Sequence, residues 1–176
     1  MNESIVLGGG CFWCLEAVYL RVKGVALVTN GYAGGTSQNP SYWDLHTPKN
    51  DHAEVVKVEY NPSQIDLETI LGIFWALHNP TTPNQQGADI GPAYRSIILY
   101  SNDKQKEVAL ESRDKVGQPL WDNPIVTEIE PLDKFWPAEA EQQNYFNNHP
   151  DQAYCQIVIN PKLVKLKQKF AHLLSE

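Results

Sequence analysis

The residue whose setting most favours chemistry is Cys11, which follows three consecutive glycines, Gly8 to Gly10. A short apolar run precedes the glycines, and a segment typical of a helix follows them. The glycines permit a turn that side chains would obstruct, so we expect Cys11 at the first turn of a helix. Free backbone N–H groups and the helix dipole favour an anion there. The pattern therefore predicts that the Cys11 thiol loses its proton more easily than a free cysteine and acts as a nucleophile.

The alternative for Cys11 is a structural role, since free cysteine is among the most buried residue types and often fills a core. The chain has two other cysteines, Cys14 and Cys155. Three is an odd number and does not make a disulfide framework. The sequence therefore predicts a cytoplasmic protein whose thiols are reduced and serve chemistry or packing.

The composition excludes several classes of protein. The chain has 176 residues, of which 42% are hydrophobic and 20% are charged, as in a folded soluble protein. Its formal charge of −7 argues against nucleic acid or an anionic membrane as the main partner. No apolar run approaches the ~20 residues of a transmembrane helix, and the N-terminus lacks the features of a secretory signal. We expect a monomer with no nucleic-acid or membrane partner and no metal.

The order of the predicted elements indicates the fold class. The first hundred residues read as β-α-β, a polar loop, and β-α-β again. This is the order of the ferredoxin-like split βαβ core, so we predict the α+β class, with an antiparallel sheet covered by helices and with C-terminal extensions. We expect one catalytic domain over 1–176, with a core at about 4–130 and a C-terminal segment at 131–176. The predicted strands are Ser4–Leu7, Val25–Tyr32, Ala53–Tyr60, Ser96–Tyr100 and Ile125–Glu130, and the predicted helices are Phe12–Val22, Asp66–Leu77, Ser101–Val116, Ala138–Asn147 and a last helix capped by Asn160-Pro161.

This topology brings distant segments to one edge of the sheet. In the strand order 4-1-3-2, the end of strand one lies beside the starts of strands three and four, and strand two ends at the same edge. Cys11, the long polar loop over 33–51, Glu54 and the segment Asp89–Arg95 are therefore expected to form one site. A loop of that length inside a domain is usually functional.

Glu54 is the most informative residue of this edge after Cys11. Its parity along the third strand matches that of Val56 and Val58, so its side chain should point into the apolar layer. Burial raises the pKa of a carboxyl group and keeps it protonated near neutral pH. Such an acid can donate a proton to a developing oxyanion. The alternative is that Glu54 lies at the frayed first turn of the strand, in water.

Five further side chains complete the expected site. Tyr42, Tyr94 and Asp89 lie on the two polar loops, where phenol hydroxyls are suited to bind a substrate oxygen. The alternative is that each tyrosine is a half-buried packing residue whose hydroxyl is exposed to water. Phe12 and Trp13 directly follow the thiol, as helix core or as the wall of an apolar pocket.

The other two thiols leave several possibilities open. Cys11 and Cys14 have the Cys-x-x-Cys spacing that permits a disulfide, although Cys14 also suits a small apolar residue facing the sheet. Cys155 lies in a segment that we expect to be irregular and flexible, so its thiol can reach a distant partner. His149 together with the three cysteines is a conceivable zinc set, but its two halves lie more than 130 residues apart and a second closely spaced ligand pair is missing.

Six motifs lie along the chain: Gly10-Cys11-Phe12-Trp13, Gly31-Tyr32-Ala33-Gly34-Gly35, Asn39-Pro40-Ser41-Tyr42, His52-Ala53-Glu54-Val55-Val56, Gly87-Ala88-Asp89 and Tyr94-Arg95-Ser96. They resemble those of the A-type peptide methionine sulfoxide reductases, over about residues 5–155. The resemblance implies that Cys11 is the nucleophile, that Glu54 protonates the sulfoxide oxygen, and that Tyr42 and Tyr94 bind this oxygen. It implies further that Asp89 is a polar partner in the site, that Phe12 and Trp13 hold the methyl group of the substrate, and that Cys155 is the resolving cysteine.

The resemblance implies an activity without a bound cofactor. Methionine S-sulfoxide, free or in proteins, is reduced to methionine, and Cys11 passes through a sulfenic acid and then a disulfide. An external thiol reductant, thioredoxin or dithiothreitol, restores the enzyme. Two features depart from the family pattern: Cys14 stands where glycine is common, and Gln156-Ile157-Val158-Ile159 and a helix replace a glycine-rich tail. Cys14 and Cys155 therefore both remain candidates for the second thiol.

Two rival functions are open at this point. A thiol–disulfide oxidoreductase would use Cys11 and Cys14 and would not depend on Glu54. A zinc-stabilised binding module would use the thiols and His149.

Overall fold

A six-stranded sheet forms the centre of the fold in the computed structural model, which describes residues 1–175. Helices cover one face of this sheet, so the predicted α+β class is confirmed to the extent that the fold is a mixed one of sheet and helices. A separate two-stranded hairpin joins the second helix to the fourth long strand. In chain order the strands are β1 Glu3–Gly8, β2 Val25–Ala33, β3 Ala53–Tyr60, β4 Gln85–Gln86, β5 Asp89–Ile90, β6 Ile97–Tyr100, β7 Glu128–Pro131 and β8 Trp136–Pro137.

The order of the sheet is β7-β6-β1-β3-β2-β8. Its four central strands, β6-β1-β3-β2, are antiparallel and follow the order 4-1-3-2 that the sequence predicted. The prediction of a wholly antiparallel sheet is wrong at one edge, where β7 pairs parallel with β6. A helical crossover joins these two strands, and a crossover of this kind allows parallel pairing.

The helices vary in regularity. The predicted start of the second helix is confirmed, because Asp66 Oδ1 accepts a hydrogen bond from the Thr69 backbone N–H at 2.8 Å. The first helix ends three residues earlier than predicted, and Leu20 is its C-cap. None of the described helices is long and apolar enough to cross a membrane. The α-helices are α1 Phe12–Tyr19, α2 Leu67–Leu77, α3 Asp103–Ser112, α4 Tyr145–Asn148 and α5 Asn160–Phe170, with π-helical turns at Arg113–Gly117 and Cys155–Ile159.

The alternation along β3 divides the apolar residues between the two faces of the sheet. Val56 and Val58 face the helices and belong to the main core, whereas Val55 belongs to a smaller cluster on the other face. Glu54 shares the parity of Val56 and is 1% exposed. The alternative of a frayed, solvated Glu54 is therefore excluded.

The C-terminal segment departs most from the prediction. The expected helix over Ala138–Asn147 is a 3₁₀ turn, Ala140–Gln142, and the short helix α4, because Asn144 between them has a left-handed φ of 55°. The expected irregular stretch around Cys155 is instead a π-helical turn that continues into α5. Pro161 cannot donate a backbone hydrogen bond, and a π-turn accommodates such a break without ending the helix.

Candidate active site

Cys11 is the N-cap residue of α1, as the glycine pattern predicted. Its backbone is extended, with φ −61° and ψ 130°, and its carbonyl accepts a hydrogen bond from the Cys14 N–H at 3.1 Å. Gly10 before it has a φ of 95°, and a Cβ at this position would lie 2.7 Å from Gln86 Cγ. Only glycine fits this turn, which places the thiol between the end of β1 and the start of α1.

The protonation state of Cys11 differs from the prediction. The side chain is 7% exposed, and burial raises the pKa of its thiol well above the ordinary value, with the charge of Glu54 as the next cause. A hydrogen bond from the Trp13 N–H acts in the opposite direction without reversing the shift. The resting form is therefore the neutral thiol, and the predicted lowering of its pKa is wrong.

Glu54 reaches from β3 to the start of α1. Its Oε1 accepts a hydrogen bond from the Phe12 N–H at 3.0 Å, so the carboxyl group occupies a free donor of the first helical turn. Burial raises the pKa of Glu54 to about 8, although this hydrogen bond lowers it and the charge of Asp89 raises it further. The carboxyl group is therefore protonated at neutral pH and lies beside the Cys11 thiol.

The long loop between β2 and β3 is held by its own polar contacts. Asp51 Oδ2 and Oδ1 accept hydrogen bonds from the N–H groups of Thr36 and Ser37 at 2.7 and 2.9 Å. His52 Nδ1 accepts from the Gly35 N–H at 3.0 Å, so His52 Nε2 carries the proton and donates to the Ser37 carbonyl at 2.7 Å. These contacts fix both ends of the loop that carries Tyr42.

Tyr42 and Tyr94 come from separate 3₁₀ turns and lie near the pair formed by Cys11 and Glu54. Burial raises the pKa of Tyr42 to about 12, and the charges of Glu54 and Cys11 add to this shift. The same causes raise the pKa of Tyr94, whose hydroxyl lies 3.1 Å from His46 Nε2. Both phenols are thus neutral and can donate a hydrogen bond.

Phe12 and Trp13 are placed differently from each other. Phe12 is fully buried and packs against Tyr42 with ring centroids 6.4 Å apart. Trp13 is partly exposed and lies between two tyrosine rings, stacked on Tyr145 at 3.6 Å and on Tyr42 at 6.2 Å. Trp13 is therefore partly open to solvent at its edges, whereas Phe12 is enclosed.

A cavity of about 290 Å³ opens beside Cys11 and Cys14. Asp89, Tyr154 and Lys162 also line it. The Tyr154 hydroxyl donates to Asp89 Oδ2 at 2.6 Å and lies 3.8 Å from Cys14 Sγ. Asp89 thus joins the site, as predicted, and it links the polar loop to the C-terminal segment.

Cys155 is not on a flexible segment, and that expectation is wrong. All three cysteines are free, and Cys155 is fully buried in the π-helical turn that packs against α1. Its environment is the main apolar core. Within residues 1–175, no group of three or more His, Cys, Asp or Glu side chains could hold a metal ion, so the conceivable zinc set with His149 is not assembled.

No motif in the sequence indicates the residues of the C-terminal segment that cover the site. Glu139 accepts hydrogen bonds from the Tyr42 N–H at 3.0 Å and from the Tyr32 hydroxyl at 2.8 Å. Gln142 Oε1 accepts from Trp13 Nε1 at 3.1 Å. The only signal in the sequence is the density of amide, acidic and aromatic side chains over 139–145, which does not reveal their distant partners.

Glu16 attaches this segment to α1. Its carboxylate, 2% exposed, accepts hydrogen bonds from the Asn144 N–H at 2.6 Å and the Tyr145 N–H at 3.2 Å. These two donors precede and begin the short helix α4, where free N–H groups need acceptors. The contact fixes the ring of Tyr145 on Trp13.

Comparisons with known proteins agree with this geometry. The family model described as peptide methionine sulfoxide reductase matches residues 3–174. The chain is 51% identical over 174 residues to the peptide methionine sulfoxide reductase MsrA of Nitratiruptor sp., covering 99% of each chain. It is 49% identical over 176 residues to the MsrA of Trichodesmium erythraeum, again covering 99% of each.

Solved structures show the same likeness. The reduced form of Mxr1 from Saccharomyces cerevisiae has a TM-score of 0.82 and 34% identity, covering 88% of this chain and 89% of that chain. Methionine sulfoxide reductase A of Corynebacterium diphtheriae has a TM-score of 0.75 and 30% identity, covering 85% and 76%. The complex of Mxr1 with Trx2 has a TM-score of 0.59 and 29% identity, covering 82% and 84%.

Proposed function

The chain belongs to the peptide methionine sulfoxide reductase family, and we propose that Cys11 and Glu54 carry its reaction. The activity is the thiol-dependent reduction of methionine sulfoxide to methionine, and we assign it to the S epimer. The observation that supports the two roles is the adjacency of a buried thiol and a buried, protonated carboxyl group at one edge of the sheet.

The two raised pKa values fit a transfer that leaves no net charge in the site. Cys11 sulfur attacks the sulfoxide sulfur and forms a sulfur–sulfur bond, while Glu54 donates its proton to the sulfoxide oxygen and takes up the proton of the thiol. The protonated oxygen then moves to the Cys11 sulfur, the sulfur–sulfur bond and the S–O bond to the substrate break, and methionine leaves with Cys11 as a sulfenic acid. A neutral start and a neutral end avoid the cost of a charge in a dry site.

The remaining site residues have supporting roles in this proposal. Tyr42 and Tyr94 donate hydrogen bonds to the sulfoxide oxygen and stabilise the charge that develops on it. Phe12 and Trp13 hold the methyl group of the substrate, and Asp89 is a polar partner at the mouth of the site.

A second thiol then closes the cycle. Cys155 condenses with the sulfenic acid of Cys11, and water leaves as the disulfide forms. A dithiol reductant of the thioredoxin class reduces that disulfide, as the solved complex of Mxr1 with Trx2 suggests by analogy. We propose a cytoplasmic, monomeric, single-domain enzyme that uses no bound cofactor.

The test of this function is an assay with methionine sulfoxide and dithiothreitol. We expect the parent to release methionine and Cys11→Ser to release none, because serine cannot carry the oxygen as a sulfenic acid. A small disulfide substrate serves as a second arm. Methionine release by Cys11→Ser, or turnover of the disulfide alone by the parent, would contradict the proposal.

A further inference from the structure

The C-terminal helical segment forms one wall of the cavity beside Cys11. Val158 of the π-helical turn and Lys162 of α5 both line this cavity, and they are four residues apart, so they share one face of the segment. The volume of about 290 Å³ lies at the lower end of the ~300–1,000 Å³ that is usual for ligand pockets. The cavity therefore suits a ligand of the size of one amino acid.

Two of the polar side chains in the wall are already engaged by the protein. Gln86 Oε1 accepts from the Asn79 N–H at 2.9 Å, and Gln86 Nε2 donates to the Asn79 carbonyl at 2.9 Å. The Tyr154 hydroxyl donates to Asp89 Oδ2 at 2.6 Å. A ligand in this cavity must therefore be held by other groups of the wall.

Lys162 is the basic side chain in the wall, and it keeps donors free. Its Nζ donates to the Leu77 carbonyl at 2.8 Å, which fixes its position at the end of α2. An ammonium group has three N–H donors, so others remain for a ligand. Within residues 1–175, Lys162 forms no ion pair. A half-buried cation of this kind favours an anionic ligand, because such a ligand replaces the water that burial removes.

Asp89 gives the same cavity a negative group at a separate position. The two charged side chains both line the cavity but do not pair with each other. Burial lowers the pKa of Lys162, whereas the charges of Cys14 and Asp89 raise it. A positive and a negative group in one small cavity match the carboxylate and the ammonium of a free amino acid.

We propose that Lys162 forms a subsite that binds the α-carboxylate of methionine sulfoxide. The inference rests on the proposed function, which places the sulfoxide sulfur at Cys11. In an amino acid the carboxylate lies only a few bonds from the sulfur, and Cys11 and Lys162 line the same cavity. Free methionine sulfoxide and a methionine sulfoxide at the end of a peptide carry this carboxylate. A residue inside a polypeptide has a neutral amide in its place.

The consequence is a preference among substrates that share one reaction. The carboxylate does not change charge during the transfer of oxygen, so Lys162 holds the substrate and the transition state equally well. Such uniform binding lowers KM and leaves kcat unchanged. Lys162 is then a residue that determines specificity and has no part in the chemical step.

The experiment compares three substrates as their S epimers, with dithiothreitol as the reductant. They are free methionine sulfoxide, N-acetyl-methionine sulfoxide and the methylamide of the latter, which has no carboxylate. Lys162→Met should lower kcat/KM about tenfold for the first two, mainly through KM, and should change the methylamide by less than about twofold. The ratio of two substrates within one variant does not depend on the amount of folded enzyme. Of the two substrates with a carboxylate, the one with the higher kcat/KM in the parent is the source that the subsite serves.

Two further variants separate charge from structure. Lys162→Arg keeps the charge and should retain most of the parental preference for a carboxylate. Lys165→Met is the matched control, since Lys165 Nζ donates to the neighbouring Ala76 carbonyl but does not line the cavity. It should keep the parental ratio between N-acetyl-methionine sulfoxide and its methylamide.

Three outcomes would overturn the subsite while the proposed function stands. They are an equal loss on all three substrates in Lys162→Met, a change of the ratio in Lys165→Met as large as in Lys162→Met, and a Lys162→Arg enzyme with no more preference than Lys162→Met. A parent that releases methionine from none of the three substrates would contradict the proposed function itself.

Discussion

The site is built from two halves that the chain specifies in different ways. The sheet half, with Cys11 and Glu54, follows from patterns within about ten residues: a glycine turn before a helix and the alternation of a strand. The cover half, with Glu139 and Gln142, depends on single hydrogen bonds across 97 and 129 residues of sequence. Local patterns therefore locate the reacting groups, while the burial that raises their pKa values comes from tertiary packing.

The first prediction addresses the sheet half and has the largest expected effect. Glu54→Gln should lower kcat/KM for methionine sulfoxide by about 10²–10⁴-fold, because an amide cannot donate the proton. In the parent the rate should fall as the pH rises through about 8, where Glu54 loses its proton. This decline should be missing in Glu54→Gln.

The matched control is Glu59→Gln, the same change on the same strand at a partly exposed position on the other face. It should leave both the rate and its pH dependence as in the parent. An active Glu54→Gln enzyme with the parental pH profile would remove Glu54 from the role of acid.

The second prediction concerns Tyr42, where the two halves meet. Tyr42→Phe removes one donor to the sulfoxide oxygen and should lower kcat by about 10²-fold with a smaller change in KM. Steady-state kinetics would measure this division. Tyr100→Phe, a partly buried tyrosine of β6, should match the parent. A loss confined to KM would instead assign Tyr42 to ground-state binding.

The third prediction tests whether the cover positions the sheet half. Glu139→Gln weakens the acceptor shared by the Tyr42 N–H and the Tyr32 hydroxyl, and kcat should fall about tenfold. In the Tyr42→Phe background the same change should cost less, because the hydroxyl to be positioned is already gone. Full additivity of the two effects would show that Glu139 acts elsewhere; Glu141→Gln is the exposed control.

The smallest expected effect is a loss of stability in the cover alone. Glu16→Gln weakens the acceptor of the Asn144 and Tyr145 N–H groups, which should cost about 1 kcal/mol. Native-state hydrogen exchange should show faster exchange in 139–155 and unchanged protection in β3. Glu107→Gln, exposed on α3, is the control, and uniform loss of protection along the chain would contradict a separate cover.

The sequence predicted much of the sheet half for physical reasons. Asp66 as a cap, Ala53–Tyr60 as a strand and the burial of Glu54 all depend on neighbours along the chain. The state of Cys11 could not be predicted in this way. A helix N-terminus favours an anion by about 0.3–1 kcal/mol, whereas one pKa unit corresponds to about 1.4 kcal/mol and burial can shift a pKa by several units.

The cover half escaped prediction because its elements are weak on their own. The helix expected over 138–147 is interrupted at Asn144, whose left-handed backbone is stabilised from outside by Glu16. The segment of Cys155, after His149-Pro150, was expected to be irregular, yet a π-turn and the apolar core keep it helical. Such tertiary effects override local propensity.

The central claim is that Glu54 is an uncharged acid beside Cys11 at neutral pH. Infrared difference spectroscopy between the parent and Glu54→Gln, followed as a function of pH, measures this protonation directly through the carbonyl stretch of the carboxylic acid. We predict that the band is present at neutral pH and disappears with a midpoint near 8. A band that is already absent at neutral pH, with a midpoint near the ordinary value of 4.5, would contradict the account.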